Sequence, residues 1–192
     1  GTVEHDPFAG YLQAGINRLS IGVQSFNTAH LKRLGRIHSN EDAISAIGLA
    51  REAGFQRINV DLMHGLPEQT LEQALHDLKL AVEQGATHIS WYQLTIEPNT
   101  VFFRTQPILP VDEVLEDIQE QGELYLKAQG FINYEVSAWR KELPSAHNLN
   151  YWQFGDYLAI GAGAHGKVTQ PDGVYRFQKT RLPKDYLAKV PA

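Results

Sequence analysis

One unit repeats through roughly the first half of this chain: a buried strand, a polar or glycine-marked turn, and then an amphipathic helix. Such βα repeats are typical of parallel α/β folds. In these folds ligands bind where the connecting loops gather, at the carboxyl ends of the strands. The predicted strands are residues 16–22, 57–63 and 88–94. The polar residues where these runs end are the first candidates for a functional site: Gln24, Asp61, Gln93 and Glu97.

Composition and charge exclude several classes of protein. The chain has 192 residues, of which 43% are hydrophobic, enough to bury the core of one large domain or of one and a half small ones. No apolar run is long enough to predict a transmembrane segment. The formal net charge of −5, without a basic block, argues against nucleic-acid binding. The absence of cysteine excludes disulfides and thiolate metal sites within the chain. The first residues lack a signal-peptide pattern, so we expect a cytoplasmic protein.

Helix signals follow the predicted strands. Polar caps start most of these helices and glycines stop them. The predicted starts are Asp6, Asn27, Asn40, Thr70 and Val111, and the predicted ends are Gly15, Gly35, Gly54, Gly85 and Gly130. Beyond residue 106 the composition changes to aromatic strand-like runs, at residues 131–139, 157–160 and 174–177. We therefore place a soft domain boundary near residue 106.

The segment from Gly161 to Gly166 fits the dinucleotide-binding pattern G-x-G-x-x-G letter for letter. That pattern holds a pyrophosphate when a helix follows, because the helix N-terminus supplies the donors. Here residues 167–170 lead into a Pro-Asp-Gly turn, so we reject a nicotinamide site. The glycines are interpreted instead as positions where the backbone approaches a ligand or a neighbouring strand closely.

The eight histidines do not have the spacing of a metal site. There is no H-E-x-x-H motif, and no pair at i, i+4 stands beside a carboxylate. Most are interpreted as surface or structural residues, with His30 and His76 solvated on their predicted helices. His147 and His165 differ, because each lies in a Gly- or Asn-rich turn beside aromatic residues.

The densest polar and aromatic cluster is residues 147–152, His-Asn-Leu-Asn-Tyr-Trp. One interpretation is a capped turn, in which Asn148 bonds its own backbone while Tyr151 and Trp152 fill the core. The other is a site for a flat aromatic ligand, in which His147 coordinates iron and the Tyr and Trp faces stack on a conjugated ring. The residues alone leave both interpretations open.

Three residues near the predicted strand ends carry the chemistry of nucleoside and amino-acid recognition. Asp61 either accepts two ribose hydroxyls, as acidic residues do in other nucleotide folds, or caps the turn that follows. Gln24 offers donors and an acceptor to a ribose or a carboxylate, and Arg36 offers a fixed fork to a carboxylate. Each signal is weak alone. Together, on successive loops, they describe a pocket for an amino acid joined to a nucleoside.

Several of these segments resemble one family. Residues 22–26, 34–36, 61–67 and 92–98 look like radical S-adenosylmethionine (SAM) proteins related to oxygen-independent coproporphyrinogen III oxidase. Residues 147–152, 154–157 and 160–166 are similar to the haem chaperone branch of that family. The resemblance covers essentially the whole chain. It implies an α/β fold: the later strands of a partial parallel (β/α) barrel over residues 1–105, then a family-specific C-terminal α+β region over residues 106–192.

The resemblance also implies roles for individual residues. The ribose region of SAM would contact Gln24 and Asp61, and its carboxylate Arg36. The stretch that would line the adenine comprises Met63 and residues Tyr92 to Thr95. Haem would be held by His147, as the ligand of its iron, with Tyr151 and Trp152 nearby. This resemblance favours the haem interpretation of residues 147–152 over the capped turn.

The chain departs from the family in one respect. Family members hold a [4Fe–4S] cluster with cysteines in a C-x-x-x-C-x-x-C loop after the first barrel strand, and this chain has no cysteine. The resemblance therefore implies the C-terminal part of a longer protein, beginning at about the fourth strand. We expect this part alone to be catalytically inactive, because reductive cleavage of SAM needs the cluster. We also expect the first predicted strand to expose an apolar edge, which favours a homodimer.

The function implied by the resemblance is that of a haem chaperone. The complete protein would bind a cluster and SAM in its barrel and pass haem to membrane-bound respiratory enzymes. One alternative is an enzyme, a coproporphyrinogen III oxidase, in which a 5′-deoxyadenosyl radical abstracts hydrogen from a propionate side chain. A second is a protein-binding module that uses the C-terminal part alone. Arg140, Lys167 and Arg176 are candidate partners of the haem propionates, and the sequence does not choose among them.

Overall fold

The computed structural model describes residues 8–188, and strands alternate with helices through the first half of the chain as the βα repeat predicts. The strands are β1 (Arg18–Gln24), β2 (Arg57–His64), β3 (His88–Gln93), β4 (Ile132–Asn133), β5 (Ala138–Arg140), β6 (His165–Gln170) and β7 (Gly173–Gln178). The helices are α1 (Phe8–Gln13), α2 (Thr28–Arg33), α3 (Asn40–Glu52), α4 (Leu71–Glu83), α5 (Val101–Thr105), α6 (Asp112–Ala128), α7 (Ala146–Trp152) and α8 (Pro183–Ala188). The cap predicted at Asp6 lies outside the described residues.

The chain divides into two compact units, and the division falls after Leu143. The boundary drawn from composition, near residue 106, lies inside the first unit. The contacts place the division later because β4 and β5 pair into the same sheet as the parallel strands.

Five strands of the first unit form one sheet in the order β1-β2-β3-β5-β4. β1, β2 and β3 are parallel, with Ser20 opposite Asn59 and Asn59 opposite His88. β5 and β4 continue the sheet antiparallel, with Arg140 opposite His88. Helices connect the three parallel strands, as a parallel arrangement requires. This arrangement confirms the predicted α/β class, and β1 forms one edge of the sheet.

One face of this sheet packs against helices and forms the core. Val60 and Leu62 of β2 are fully buried, in one apolar cluster with Ile47 of α3 and Leu78 of α4. Burial of each such side chain stabilises the fold by about 1.5–3 kcal/mol. α6 covers β3 so closely that a Cβ on Gly122 would collide with the indole of Trp91.

Three predicted strands differ from those of the structure. β1 begins at Arg18 rather than residue 16, because the turn at Gly15, with φ +91°, precedes it. The strand also continues to Gln24 through an irregularity after Gly22. The predicted strand 131–139 is two short strands joined by a turn, and the predicted strand 157–160 is a bridge between Tyr157 and Lys167.

His30 is buried rather than solvated, so that interpretation was wrong. Its ring Nε2 lies 3.2 Å from Oε1 of Gln73, which also accepts from the backbone N–H of Thr70 at 3.0 Å. Burial lowers the pKa of His30. The contact therefore links α2 to the capped start of α4, while His76 of α4 is exposed as predicted.

In the second unit β6 and β7 form an antiparallel hairpin, with Lys167 opposite Arg176. A strand therefore follows residues 161–166, where a dinucleotide site would need a helix. Gly166 lies beneath the ring of Phe177, and a Cβ at this position would collide with that ring. This glycine permits the close approach of a neighbouring strand, one of the two roles predicted for the segment.

Candidate functional site

The second face of the parallel sheet is polar. Successive side chains of a strand point to opposite faces, so the residues of β2 that alternate with the core residues lie on this face. The strand register places residues of β1 and β3 beside them. We call this surface the polar face; its members are Ser20, Gln24, Asn59, Asp61, Met63, Ser90 and Tyr92.

Asn59 joins the three parallel strands on the polar face. Its Nδ2 donates to Ser20 Oγ at 2.8 Å and to Asp61 Oδ1 at 2.7 Å, and its Oδ1 accepts from Ser90 Oγ at 3.2 Å. Ser20 Oγ in turn donates to Asp61 Oδ2 at 3.2 Å. A carboxylate has roughly four lone-pair sites, so Asp61, which is half-buried, keeps acceptor capacity for further hydroxyls.

Gln24 and Tyr92 meet at the carboxyl ends of their strands. Tyr92 Oη donates to Gln24 Oε1 at 3.2 Å, across β2. Gln24 is buried and has φ +69°, in the left-handed region. That conformation costs a non-glycine residue about 1–3 kcal/mol, and such residues cluster at functional sites.

The charges around Tyr92 are of opposite sign. Burial raises the pKa of Tyr92, and the carboxylate of Asp61 raises it further. Arg36 and the hydrogen bond to Gln24 act in the opposite direction. The phenol therefore stays protonated and donates to Gln24 at neutral pH. Arg36, which is exposed on the loop after α2, lies within electrostatic range of the polar face.

Buried Asp77 of α4 fixes the loop that follows Gln24. Its Oδ2 accepts from Ser25 Oγ at 2.7 Å, and its Oδ1 accepts from the Phe26 N–H at 2.7 Å. Ser25 Oγ accepts in turn from the Asn27 N–H at 3.0 Å. Burial raises the pKa of Asp77 to about 6, against the effect of these two hydrogen bonds. The network holds the turn in which Gln24 adopts its strained conformation.

The structure brings most of the residues predicted to contact SAM together. Four of the six lie on the polar face, and the charge of Arg36 acts on Tyr92. Thr95 is exposed in the loop beyond β3, where its hydroxyl donates to Glu97 Oε1 at 3.3 Å. The polar atom of Thr95 is therefore engaged within its own loop.

The residues predicted to bind haem lie on α7, in the second unit. Ser145 caps this helix, since its Oγ accepts from the Asn148 N–H. His147 and Tyr151 are four residues apart and so share one face of the helix. Their ring centroids are 5.0 Å apart, edge to face at 80°. The ring of Tyr151 lies 4.8 Å from that of Tyr157 in the following segment.

The capped-turn interpretation of this segment was wrong in one respect. Tyr151 and Trp152 are 48% and 61% exposed, so they do not fill the core. His147 is exposed beside them. We call His147, Tyr151, Trp152 and Tyr157 the aromatic surface. Large exposed apolar groups that lie side by side mark an interaction site more often than a structural one.

Within residues 8–188 no three side chains of the His, Cys, Asp or Glu type form a group that could hold a metal ion. In the same range no helix combines the length and apolar character needed to cross a membrane.

Sequence reasoning missed Asn59 and Ser20, which hold Asp61 in place, and Ser90, which donates to Asn59. The signal was present, because polar residues at every second position of a strand indicate a polar sheet face. It also missed Asp77, and there the sequence gives little warning. Asp77 stands beside His76, off the predicted apolar stripe, like many solvated helix residues.

Several known proteins are similar to this chain in sequence. The family whose profile matches residues 2–81 is described as the Radical SAM superfamily. The chain is 58% identical over 189 residues to "Heme chaperone HemW" of Haemophilus influenzae, covering 97% of this chain and 49% of that protein. It is 56% identical over 189 residues to the Escherichia coli protein of the same name, covering 97% and 50%. The chain thus spans about half the length of the curated relatives it matches.

A solved structure shows the same fold. It is coproporphyrinogen III oxidase (HemN) from Escherichia coli, a radical SAM enzyme, with a TM-score of 0.68 and 26% identity over 82% of this chain and 40% of that one. β1, β2 and β3, with their helices, are therefore the later strands of a partial barrel of the radical SAM type. The family model and the relatives thus agree: residues 2–81 match the Radical SAM superfamily, and the chain is similar over 97% of its length to the HemW proteins.

Proposed function

We propose that this chain is part of a haem chaperone of the radical SAM superfamily, which binds haem and delivers it to respiratory haem proteins. The observation that carries the proposal is the exposed imidazole of His147, set edge-on against Tyr151 on α7. The names of the relatives in the same branch support it, since two that are 56–58% identical are called heme chaperones.

The aromatic surface has the chemistry that haem requires. Imidazole is a common axial ligand of haem iron, and aromatic faces stack on a conjugated macrocycle. An exposed His147 needs no rearrangement to reach an iron atom. The iron ligand in this proposal is His147, and the stacking residues are Tyr151 and Trp152.

The polar face has the chemistry that SAM requires. Asp61 has acceptor capacity for two ribose hydroxyls, and Asn59 and Ser20 fix its orientation. Gln24 presents an amide beside it, and Arg36 supplies a cation for a carboxylate. In this proposal Met63, Tyr92 and the loop that contains Thr95 lie against the adenine. SAM bound here would supply the radical chemistry of the superfamily.

The residues of this chain do not fit a [4Fe–4S] cluster, because clusters of this kind are held by thiolates and the chain has no cysteine. We therefore assign the cluster ligands to residues outside these 192. The proposed function of this chain therefore does not depend on a cluster bound by its own residues.

An absorbance titration of haem tests the proposal. We expect a Soret shift that saturates with the wild-type chain and is lost in His147→Ala. The matched control is His76→Ala, because His76 is an exposed histidine of α4 in the first unit. A shift that persists in His147→Ala, or is lost equally in both variants, would contradict the assignment of iron to His147.

A coproporphyrinogen III oxidase is the second candidate, and the TM-score of 0.68 to HemN favours it. That likeness extends over a fold which both activities share, at 26% identity. Higher identity to the HemW proteins favours the chaperone. Turnover of coproporphyrinogen III by a form of the protein that carries the cluster region would support the oxidase instead.

The proposal extends to partners and location. The acceptors are respiratory haem proteins, and the expected compartment is the cytoplasm. A second copy of the chain is a further partner, since β1 lies at the edge of the sheet with Leu19 and Ile21 half-buried. Size-exclusion chromatography over a concentration series tests this association, and a monomer at every concentration would count against it.

A further inference from the structure

We propose that a cleft in the second unit, beside Tyr157 and Arg176, binds a carboxylate, and that this carboxylate is a propionate of haem. The inference rests on the proposed haem function and adds to it the residue that recognises the acidic edge of the ligand. Arg176 is that residue.

Three neighbouring extended segments build the cleft. Tyr157 bridges to Lys167 of β6, and Lys167 lies opposite Arg176 of β7. Directly opposed residues of antiparallel strands share a face, so these side chains lie in one row. Arg176 Nη1 lies 3.5 Å from Tyr157 Oη at one side of the row. The cleft has a volume of about 190 Å³ and is lined by Tyr157, His165, Gly166, Arg176, Phe177 and Gln178.

The polar lining consists of hydrogen-bond donors. Arg176 has five N–H donors in a planar fork, Tyr157 has a phenolic hydroxyl, and Gln178 has an amide NH₂. His165 adds a ring N–H, and it is exposed at the start of β6. No carboxylate is among the lining residues of the cleft. A planar acceptor with two oxygens matches this set, and a guanidinium binds such a group through two parallel hydrogen bonds.

The structure distinguishes among the three cations that the sequence left open. Lys167 is 2% exposed, and its three donors go to the Phe154 carbonyl at 2.8 Å, Asp156 Oδ1 at 2.8 Å and Thr169 Oγ1 at 3.2 Å. The Lys167 ammonium is thus fully engaged. Its hydrogen bond to Asp156, together with the hydrogen bonds that Thr169 donates, lowers the pKa of Asp156 to about 2.

The other two cations differ from Lys167 and from each other. Arg140 belongs to β5 of the first unit, where its Nη1 donates to the Glu142 carbonyl. Arg176 is exposed, and within residues 8–188 no carboxylate lies within ion-pair distance of it. Of the three, Arg176 is the exposed cation of the second unit, which also carries the aromatic surface, and it is therefore the one available to an acidic ligand there.

The cleft is continuous with the aromatic surface. Tyr157 is in ring contact with Tyr151 at 4.8 Å, and Tyr151 is in ring contact with His147 at 5.0 Å. One string of contacts therefore runs from the proposed iron ligand to the guanidinium of Arg176. At about 190 Å³ the cleft is smaller than the pockets of roughly 300–1,000 Å³ that enclose whole ligands. Its size suits a carboxylate-bearing edge, with the macrocycle outside on the aromatic surface.

Haem dimethyl ester, in which both propionates are capped, separates this cleft from the rest of the site. We expect Arg176→Ala to weaken haem binding about three- to tenfold, as for the loss of a charged hydrogen bond at an exposed site, and to leave the affinity for the ester unchanged. Arg181→Ala is the matched control, since it removes an exposed arginine of the same unit outside the cleft. Arg176→Lys should recover part of the affinity, because it keeps the charge and loses the fork.

The outcomes separate this inference from the proposed function. Saturable haem binding that depends on His147, with equal affinity in Arg176→Ala and wild type, overturns the cleft and leaves the chaperone intact. Equal losses for haem and its ester in Arg176→Ala overturn it as well, because the propionates would not be what Arg176 senses. Absence of haem binding by the wild-type chain overturns both. Circular dichroism of each variant establishes that its fold is retained.

Discussion

The polar face and the aromatic surface are built in opposite ways. On the polar face Asn59 and Ser20 hold the carboxylate of Asp61, and Gln24 is fixed by Tyr92. On the aromatic surface the rings of His147 and Tyr151 contact each other edge to face, Tyr151 also contacts Tyr157, and His147 and Tyr151 are both exposed. The side chains of the polar face are held in place without a ligand, whereas the aromatic surface leaves space for a large flat ligand.

This difference fits the chemistry proposed for each region. A cofactor that must be held in one geometry needs a preorganised site, with orienting residues behind those that touch it. A carrier must also release its cargo, and a site of exposed aromatic groups permits release because few groups have to move. The comparison predicts that substitutions in the first unit disturb stability, while those on the aromatic surface disturb binding.

The largest expected effect is from Gly122→Ala, in the core of the first unit. The added Cβ would collide with the buried indole of Trp91, so we expect a loss of about 3 kcal/mol in the free energy of unfolding, at the upper end for overpacked cores. Gly48→Ala is the matched control on α3, because a Cβ there meets nothing within 4 Å, and it should be neutral or stabilising.

Gly166→Ala extends this test to the second unit. Its Cβ would meet the ring of Phe177, which is 38% exposed and can move toward solvent. Urea denaturation should therefore show a smaller loss than for Gly122→Ala. Equal losses at the two glycines would contradict the contrast between a rigid and an open region.

A second effect concerns the pH dependence of stability through Asp77. Because its pKa is raised to about 6 in the folded protein, the folded state binds the proton more tightly than the unfolded chain does. The contribution of Asp77 to the free energy of unfolding, on the order of 2–3 kcal/mol, is thus fully present below about pH 4. It is lost as the pH rises through about 6. Asp77→Asn should lack this component.

Denaturation of wild type and Asp77→Asn at several pH values measures the difference. The comparison is needed because burial lowers the pKa of His64 to about 4, which gives a pH dependence of opposite sign in the same range. Both proteins carry His64, so its contribution cancels in the difference. Parallel stability profiles would show that Asp77 does not titrate as its burial implies.

Asn59→Ala tests the network on the polar face. It removes the partner of Ser20, Asp61 and Ser90 together, so we expect a loss of about 1–3 kcal/mol in stability. In a form of the protein that carries the cluster region, it should also weaken SAM binding with haem binding intact. Calorimetry that finds unchanged SAM affinity in Asn59→Ala and in Asp61→Ala would remove the ribose assignment.

The smallest effects on stability are expected on the aromatic surface. His147→Ala and Trp152→Ala remove exposed groups, so each should change the free energy of unfolding by no more than about 0.5 kcal/mol. Thermal denaturation by circular dichroism measures this. A large loss in either variant would mean that the segment is a structural element after all.

Local patterns in the sequence predicted the βα units well and the site in part. Alternating and helical periodicity, with caps such as Asn27 and Thr70, predicted the parallel strands and their helices because those signals are local. The helix α7 was not predicted, since its seven residues are too short for a periodicity to emerge.

Features that depend on contacts between distant residues could not be predicted. The bond from Asp77 to Ser25 spans 52 positions, and the bond from Tyr92 to Gln24 spans 68. The sequence around each of these residues contains no signal that identifies its hydrogen-bond partner. For the same reason the sequence could not select Arg176 among the three cations. That selection depends on the hydrogen bonds that engage all three donors of Lys167.

The central claim is that haem binds the aromatic surface of the second unit independently of the polar face. It is tested most directly by titrating haem, side by side, into the wild-type chain, His147→Ala and Asp61→Ala, and following the Soret band. The account predicts a saturating shift in the wild type and in Asp61→Ala, and its loss in His147→Ala. Loss of the shift in Asp61→Ala, or its survival in His147→Ala, would contradict the account.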